Sequence, residues 1–139
     1  ANMVGFKVKY YWYQIGSGDF LFSFFSTVAY HLEDQKWGSK FPVIMDGLYQ
    51  GELWSTQIHA AKHELEQIKK GLEKLPPDQI IWDIEELSAQ PPWGTDISSD
   101  ITNLGNYFVT SDGEDFITVF SRALEKAEEL NLGLEIKSI

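Results

Sequence analysis

Leu21, Phe24, Phe25, Val28, Ala29 and Leu32 recur at helical spacing directly after a glycine-serine-glycine turn. An apolar face this wide must be covered on several sides, so the chain has to hold this helix inside a core and build the rest around it. Ser17 or Asp19 is placed to cap its first turn, where an acid also suits the helix dipole. Two further stripes keep the same period. Ile58, Ala61, Leu65, Ile68 and Leu72 follow Ser55 as N-cap, and Pro76 and Pro77 terminate that helix. Phe116, Val119, Phe120, Ala123, Leu124, Ala127 and Leu130 follow a cap at Ser111 or Asp112 and close at Asn131 and Gly133.

The remaining segments read as strands and loops. Val4–Ile15 is rich in β-branched and aromatic residues and predicts one strand; Gln79–Ile84, Asn106–Thr110 and Leu134–Ile139 predict three more. Pro42 can open a short helix running to Tyr49, with a strand as the alternative. Ser88–Asn106 contains Pro91, Pro92, Gly94 and Gly105 and predicts a long ordered loop, a length that often carries function. The expected fold is α+β or α/β: a single domain over residues 3–139, with a central sheet of about four strands and three to four helices, its strand order open. Ala1 and Asn2 precede Met3 and read as a cloning remnant.

With 139 residues and 43% hydrophobic side chains the chain has material for one core, and disorder is excluded. Its 21 acids against 11 bases give a net charge of −10. That balance argues against direct contact with nucleic acid or an anionic membrane, since both depend on Lys and Arg. No apolar run approaches the ~20 residues of a membrane helix, and no signal-peptide pattern opens the chain. Cysteine is absent, which fits a reducing compartment. The expectation is a cytoplasmic protein.

The charge is unevenly spread. Between Leu75 and Ser121 there is no Lys or Arg, yet nine acids: Asp78, Asp83, Glu85, Glu86, Asp96, Asp100, Asp112, Glu114 and Asp115. Nearly the whole net charge therefore sits in a third of the chain. Trp82, Trp93, Tyr107 and Phe108 are interleaved with these acids. Aromatic anchors among charges of one sign suit an interface with a basic partner. The plainer account is a solubilising surface with Trp82 and Phe108 in the core.

Motifs for catalysis are weak. His59 and His63 lie four apart on one helix face, as in helical zinc sites, but Ala60 stands where a zinc protease needs Glu, and no third ligand is evident. They read as solvent-facing histidines. His31 has no Ser or Cys partner in a triad-like setting. Gly16-Ser17-Gly18 lacks the third glycine of a dinucleotide loop and the Lys of a P-loop, and Asp19 would repel phosphate; a tight turn accounts for it. Asp83, Glu85 and Glu86 at a strand end could supply the acid and base of a small glycosidase, with an aromatic platform for the sugar. Against that stands a solvated acidic strand end. The residues call for no metal and no cofactor.

The segments IGSGDFLFSFFSTVAYHLE (Ile15 to Glu33), WGSKFPVIMDGLYQGEL (Trp37 to Leu53), LPPDQIIWDIEEL (Leu75 to Leu87) and PPWGTDISSDITNLGNYFVTSDG (Pro91 to Gly113), with the final helix, resemble the Immunity protein 70 family. The resemblance implies a bacterial antidote, not an enzyme, encoded beside a polymorphic or contact-dependent toxin whose toxin domain it binds and blocks. It brings no catalytic motif and does not locate the binding surface. Joined to the charge pattern, it points to a basic nuclease toxin held one to one by Asp83, Glu85, Glu86, Trp93, Asp96 and Asp100, with Asp112 and Glu114 at the margin. The rival reading is the small hydrolase using Asp83 and Glu85.

Overall fold

Val4–Ile15 folds as two strands. In the computed structural model, which describes residues 2–139, β1 (Met3–Val8) and β2 (Tyr11–Ser17) pair antiparallel around a two-residue turn, Lys9-Tyr10. Ala1, half of the expected remnant, lies outside the described residues. Lys9 takes φ 53. Such turns usually announce themselves with Gly or Asn at this left-handed position, and Lys hides the reversal inside an otherwise continuous strand pattern. Near the far end of β2 the register slips by one residue opposite Val4 and Gly5, a bulge that absorbs Ile15.

The sheet is completed from the other end of the chain. β4 (Leu134–Ser138) pairs antiparallel with β1, and the two-residue β3 (Glu52–Leu53), which sequence patterning did not suggest, adds to β4. The order is β2-β1-β4-β3. Three α-helices accompany it: α1 (Gly18–Leu32), α2 (Ile58–Leu72) and α3 (Phe116–Leu130). The class is α+β. Two of the expected strands, Gln79–Ile84 and Asn106–Thr110, are not part of the sheet.

The predicted apolar stripes form the core. On α1, Leu21, Phe24, Phe25, Val28 and Ala29 are buried, and so is the whole α2 stripe; on α3 only Leu130 is exposed. Phe6 of β1 lies 4.7 Å from Phe120, ring to ring, and Phe24 lies 4.8 Å from Phe116 in an edge-on pair. Each such ring contributes roughly 1.5–3 kcal/mol by leaving water. Ser17 caps α1 as expected, accepting from the Phe20 N–H at 3.1 Å. Ser55 is not the cap of α2. A 3-10 turn over Ser55–Gln57 precedes the helix, and the Gln57 side chain accepts from the Trp54 N–H at 2.9 Å. Asn131 ends α3 in the left-handed region at φ 55.

The opposite sheet face carries Lys7, Trp12, Glu135 and Lys137, whose positions follow from the pairings of Lys7 with Trp12 and Glu135 and of Gly5 with Lys137. Trp12 lies over Gly5: a Cβ there would meet the indole at 2.5 Å and the Tyr13 carbonyl at 2.7 Å. Gly5→Ala should therefore cost about 1–3 kcal/mol by overpacking, measurable as a lower urea midpoint with unchanged slope. A change under about 0.5 kcal/mol would mean that Trp12 swings away freely.

Between α1 and α2 the chain runs through a π-helical turn, Val43–Gly47, and a 3-10 turn, Leu48–Gln50, after Pro42. Pro42 thus opens a short helical segment as expected, and two buried carboxylates hold it. Glu33 accepts the N–H groups of Gly38, Lys40 and Phe41, each at 2.9 Å. Glu64 of α2 accepts from Val43 at 3.1 Å and Ile44 at 2.8 Å. Burial pushes the Glu64 carboxyl above its ordinary value, partly opposed by those two N–H donors and reinforced by Glu33 and Asp46. A carboxyl raised on folding binds its proton more tightly in the native state than in the unfolded chain. Its contribution is thus fullest below the ordinary carboxylate range and is lost as pH rises through the raised value. Glu64→Gln should remove that slope, so the stability gap between parent and variant will depend on pH across the mildly acidic range. Denaturant titrations at stepped pH would test this, and a constant gap would contradict it.

Candidate functional site

The acidic third of the chain is fastened to α1 through hydroxyl groups. Ser23, Ser26 and Thr27 share a face of an otherwise apolar helix and are fully buried. The Ile81 carbonyl accepts from Ser23 Oγ at 2.8 Å and Thr27 Oγ1 at 3.1 Å; the Ile81 N–H donates back to Thr27, and the Ile84 N–H to Ser26 Oγ at 3.1 Å. One turn further, His31 Nε2 donates to the Gln79 carbonyl at 2.7 Å. This is why Gln79–Ile84 is not a strand. Its extended, apolar pattern is real, but side-chain hydroxyls satisfy its backbone where a neighbouring strand would otherwise do so.

Asn106–Thr110, expected as a strand, stays out of the sheet for a related reason. It forms an isolated bridge, Val109 with Asp115, and folds back on the residues that follow it. Thr110 N–H donates to the Glu114 carbonyl at 2.7 Å, and Phe116 N–H to the Phe108 carbonyl at 2.8 Å. The cap of α3 is accordingly Asp115, accepting from Thr118 N–H at 3.0 Å, and not Ser111 or Asp112. Ser111 instead donates its N–H to the carbonyl of the bulged Ile15, tying this turn to the sheet.

Ser88–Asn106 is the expected long loop, and it is internally braced. Leu104 N–H bonds the Leu75 carbonyl at 2.9 Å, closing the excursion at its base. The Asn106 amide accepts from Thr102 and Asn103 and donates to the Asp100 carbonyl. Trp93 donates its indole N–H to Tyr107 Oη at 2.9 Å and stands edge-on to Trp82 at 5.4 Å. Burial pushes the Tyr107 phenol above its ordinary value, with the Trp93 bond pulling the other way.

A groove of about 330 Å³ opens in this loop, lined by Phe20, Trp93, Asp96, Ile97, Ser98, Ile101, Tyr107 and Val109. Trp93 and Asp96 come together here, and Asp100 lies between the lining residues Ser98 and Ile101. Phe20, Ile97, Ile101 and Val109 were missed by sequence reasoning. The pair Ile97 and Ile101, apolar within an acidic loop, was the available signal.

The other predicted acids differ in how free they are. Asp83 accepts from the Glu85 N–H at 2.8 Å, Asp112 from the Thr110 hydroxyl at 2.6 Å, and Glu114 pairs with Arg122 at 2.8 Å. Among the described residues, Glu85, Glu86, Asp96 and Asp100 have no side-chain partner for their carboxylates, and all four are exposed. Phe108 and Tyr107 are core residues and Trp82 packs against the core, while Trp93 is 38% exposed.

The weaker motifs resolve into structural roles. His59 is exposed and lies 3.6 Å from Glu128, and His63 meets Gln67; no group able to hold a metal occurs among the described residues. Gly16-Ser17-Gly18 is the capped turn into α1. Asp83, Glu85 and Glu86 line neither this groove nor the larger one of about 480 Å³ between α2 and α3, where Lys62, Lys69 and Arg122 mix with Glu66 and Glu125. Among the described residues no helix is long and apolar enough to cross a membrane.

No curated protein and no solved structure matches the chain. A family model described as Immunity protein 70 matches residues 6–136, from the middle of β1 to the middle of β4 and including the whole acidic loop. The chain therefore belongs to the Immunity protein 70 family.

Proposed function

We propose that this protein binds a cognate toxin domain in the cytoplasm, one to one, and neutralises it by covering a basic surface, as a nuclease would present to nucleic acid. Family membership carries the immunity role. The choice of surface rests on one observation: an apolar, aromatic-walled groove with the unpaired Asp96 in its lining is built mostly from the stretch Leu75 to Ser121, which has nine acids and no Lys or Arg. The acids speed and select the encounter, and the groove supplies the desolvated contacts that hold it. Asp83, Glu85, Glu86, Trp93, Asp96 and Asp100 are the proposed contacts, with Asp112 and Glu114 outside them.

The test is titration calorimetry against the C-terminal domain of the protein encoded by the adjacent upstream gene, made in an inactivated form. Tight binding that weakens as salt rises is expected. Tight binding indifferent to salt would keep the immunity role and move the contact off the acidic face. No binding well above micromolar concentration would remove the reading.

A further inference from the structure

The groove beside Trp93 is more specific than an acidic surface requires. Its walls are almost wholly apolar, built from Phe20, Trp93, Ile97, Ile101, Tyr107 and Val109, and Asp96 is the one carboxylate among its lining residues. Trp93 and Val109 show 38% and 42% of their surface to solvent, and Asp96 and Ser98 are exposed as well, so apolar and polar side chains share the groove's solvent-facing side. The indole is held by the Tyr107 bond and by Trp82, and the Asn106 amide bonds brace the loop that carries Asp96, Ile97 and Ile101. The cleft exists before any partner arrives, so little ordering is left to offset the gain on binding.

An apolar trough with an unpaired carboxylate fits a side chain with an apolar stem and a cationic head. Lysine and arginine both have that form. Arginine suits this site better, because its planar guanidinium stacks on an aromatic face and is less strongly hydrated than an ammonium. Among the described residues no Lys, Arg or His of the chain pairs with Asp96, so its carboxylate is open to a cation brought by a partner.

We infer that the groove lined by Trp93, Ile97, Ile101, Tyr107 and Val109 receives an arginine side chain of the toxin domain, its guanidinium pairing with Asp96. This rests on the function proposed above and adds to it the chemistry of the central contact.

The experiment pairs calorimetry with the indole N–H resonance of Trp93, using the inactivated toxin domain as probe. The Trp93 resonance should shift or broaden on adding toxin to the parent protein. Asp96→Asn should weaken binding about tenfold and flatten its salt dependence, and Val109→Arg, which sets the protein's own cation at the groove, should weaken it about 30-fold or more. Glu66→Gln, in the groove between α2 and α3, should bind within about twofold of the parent, as expected away from a hot spot. Among single Arg→Ala variants of the toxin, one should lose affinity non-additively with Asp96→Asn. A parent that binds while the groove variants also bind normally and Trp93 stays unmoved would overturn the groove and leave the immunity role standing. A panel whose arginines are all additive with Asp96→Asn would overturn the pairing. A Trp93 resonance that moves with the protein's own concentration would make the occupant a second copy, again overturning the inference. A parent that does not bind defeats the functional proposal itself.

Discussion

Reversing Asp96 and Asp100 to lysine should slow association with the toxin domain by about ten- to a hundredfold at low salt, with the difference shrinking as salt is added. The reason is the state of these carboxylates: neither has a side-chain partner among the described residues, so their field reaches solvent undiminished. Reversing Glu85 and Glu86 should do about as much. Reversing Asp112 and Glu114 should do less, because Arg122 already balances the Glu114 charge. Stopped-flow association rates across a salt series would give the ordering. If the Asp96 and Asp100 variant associates as fast as the parent at low salt, the toxin meets another face, although the family membership stands.

The largest loss of stability is expected from Glu33→Ala. Its carboxylate accepts three backbone N–H groups across the 38–41 turn, and it is 3% exposed. Water can reach the part-buried Gly38 and Lys40 donors, but the Phe41 N–H is buried and would be left without an acceptor. Each buried unsatisfied donor costs about 1–3 kcal/mol, so a total on the order of 3 kcal/mol is expected, near 10 °C in Tm for a chain of this size. The damage should spread to the aromatic cluster next to the turn, where Trp37 stacks on Phe25 at 6.0 Å and bonds the Met45 carbonyl at 2.7 Å. Thermal unfolding followed by near-ultraviolet circular dichroism reads both effects. A loss below about 1 kcal/mol would show that the turn holds itself.

These two sites differ in how far the sequence announces them. The helices were legible because their stripes bury what their spacing says they bury, from Leu21 to Ala29, Ile58 to Leu72 and Phe116 to Ala127. The sheet was half legible. β4 and the presence of strand near the N-terminus follow from local pattern, whereas the Lys9 turn carries no Gly or Asn, and β3 is two residues long and exists only because β4 lies beside it. Gln79–Ile84 and Asn106–Thr110 have strand composition, but what decides their state lies elsewhere in the chain: the hydroxyls of α1 for one, the Glu114–Phe116 backbone for the other. The acidic face was legible as charge, and Trp93 with Asp96 as neighbours in sequence. The groove was not, because Phe20 and Val109 come to it from positions far apart in the sequence. Glu33 and Glu64 do not stand out in the sequence, since nothing local reveals that distant N–H groups converge on them.

The attachment of the acidic loop to α1 has a further consequence. Ser23, Ser26 and Thr27 grip only main-chain atoms of Ile81 and Ile84, so the grip does not depend on which side chains the loop displays outside those points. Exposed acids of the loop such as Glu85, Glu86, Asp96 and Asp100 can be exchanged or recharged while the fastening stays the same. A lineage could therefore redraw the charge of this surface in few steps without renegotiating its fold, so long as three small hydroxyl side chains on one helix and the Trp93 and Asn106 braces are kept.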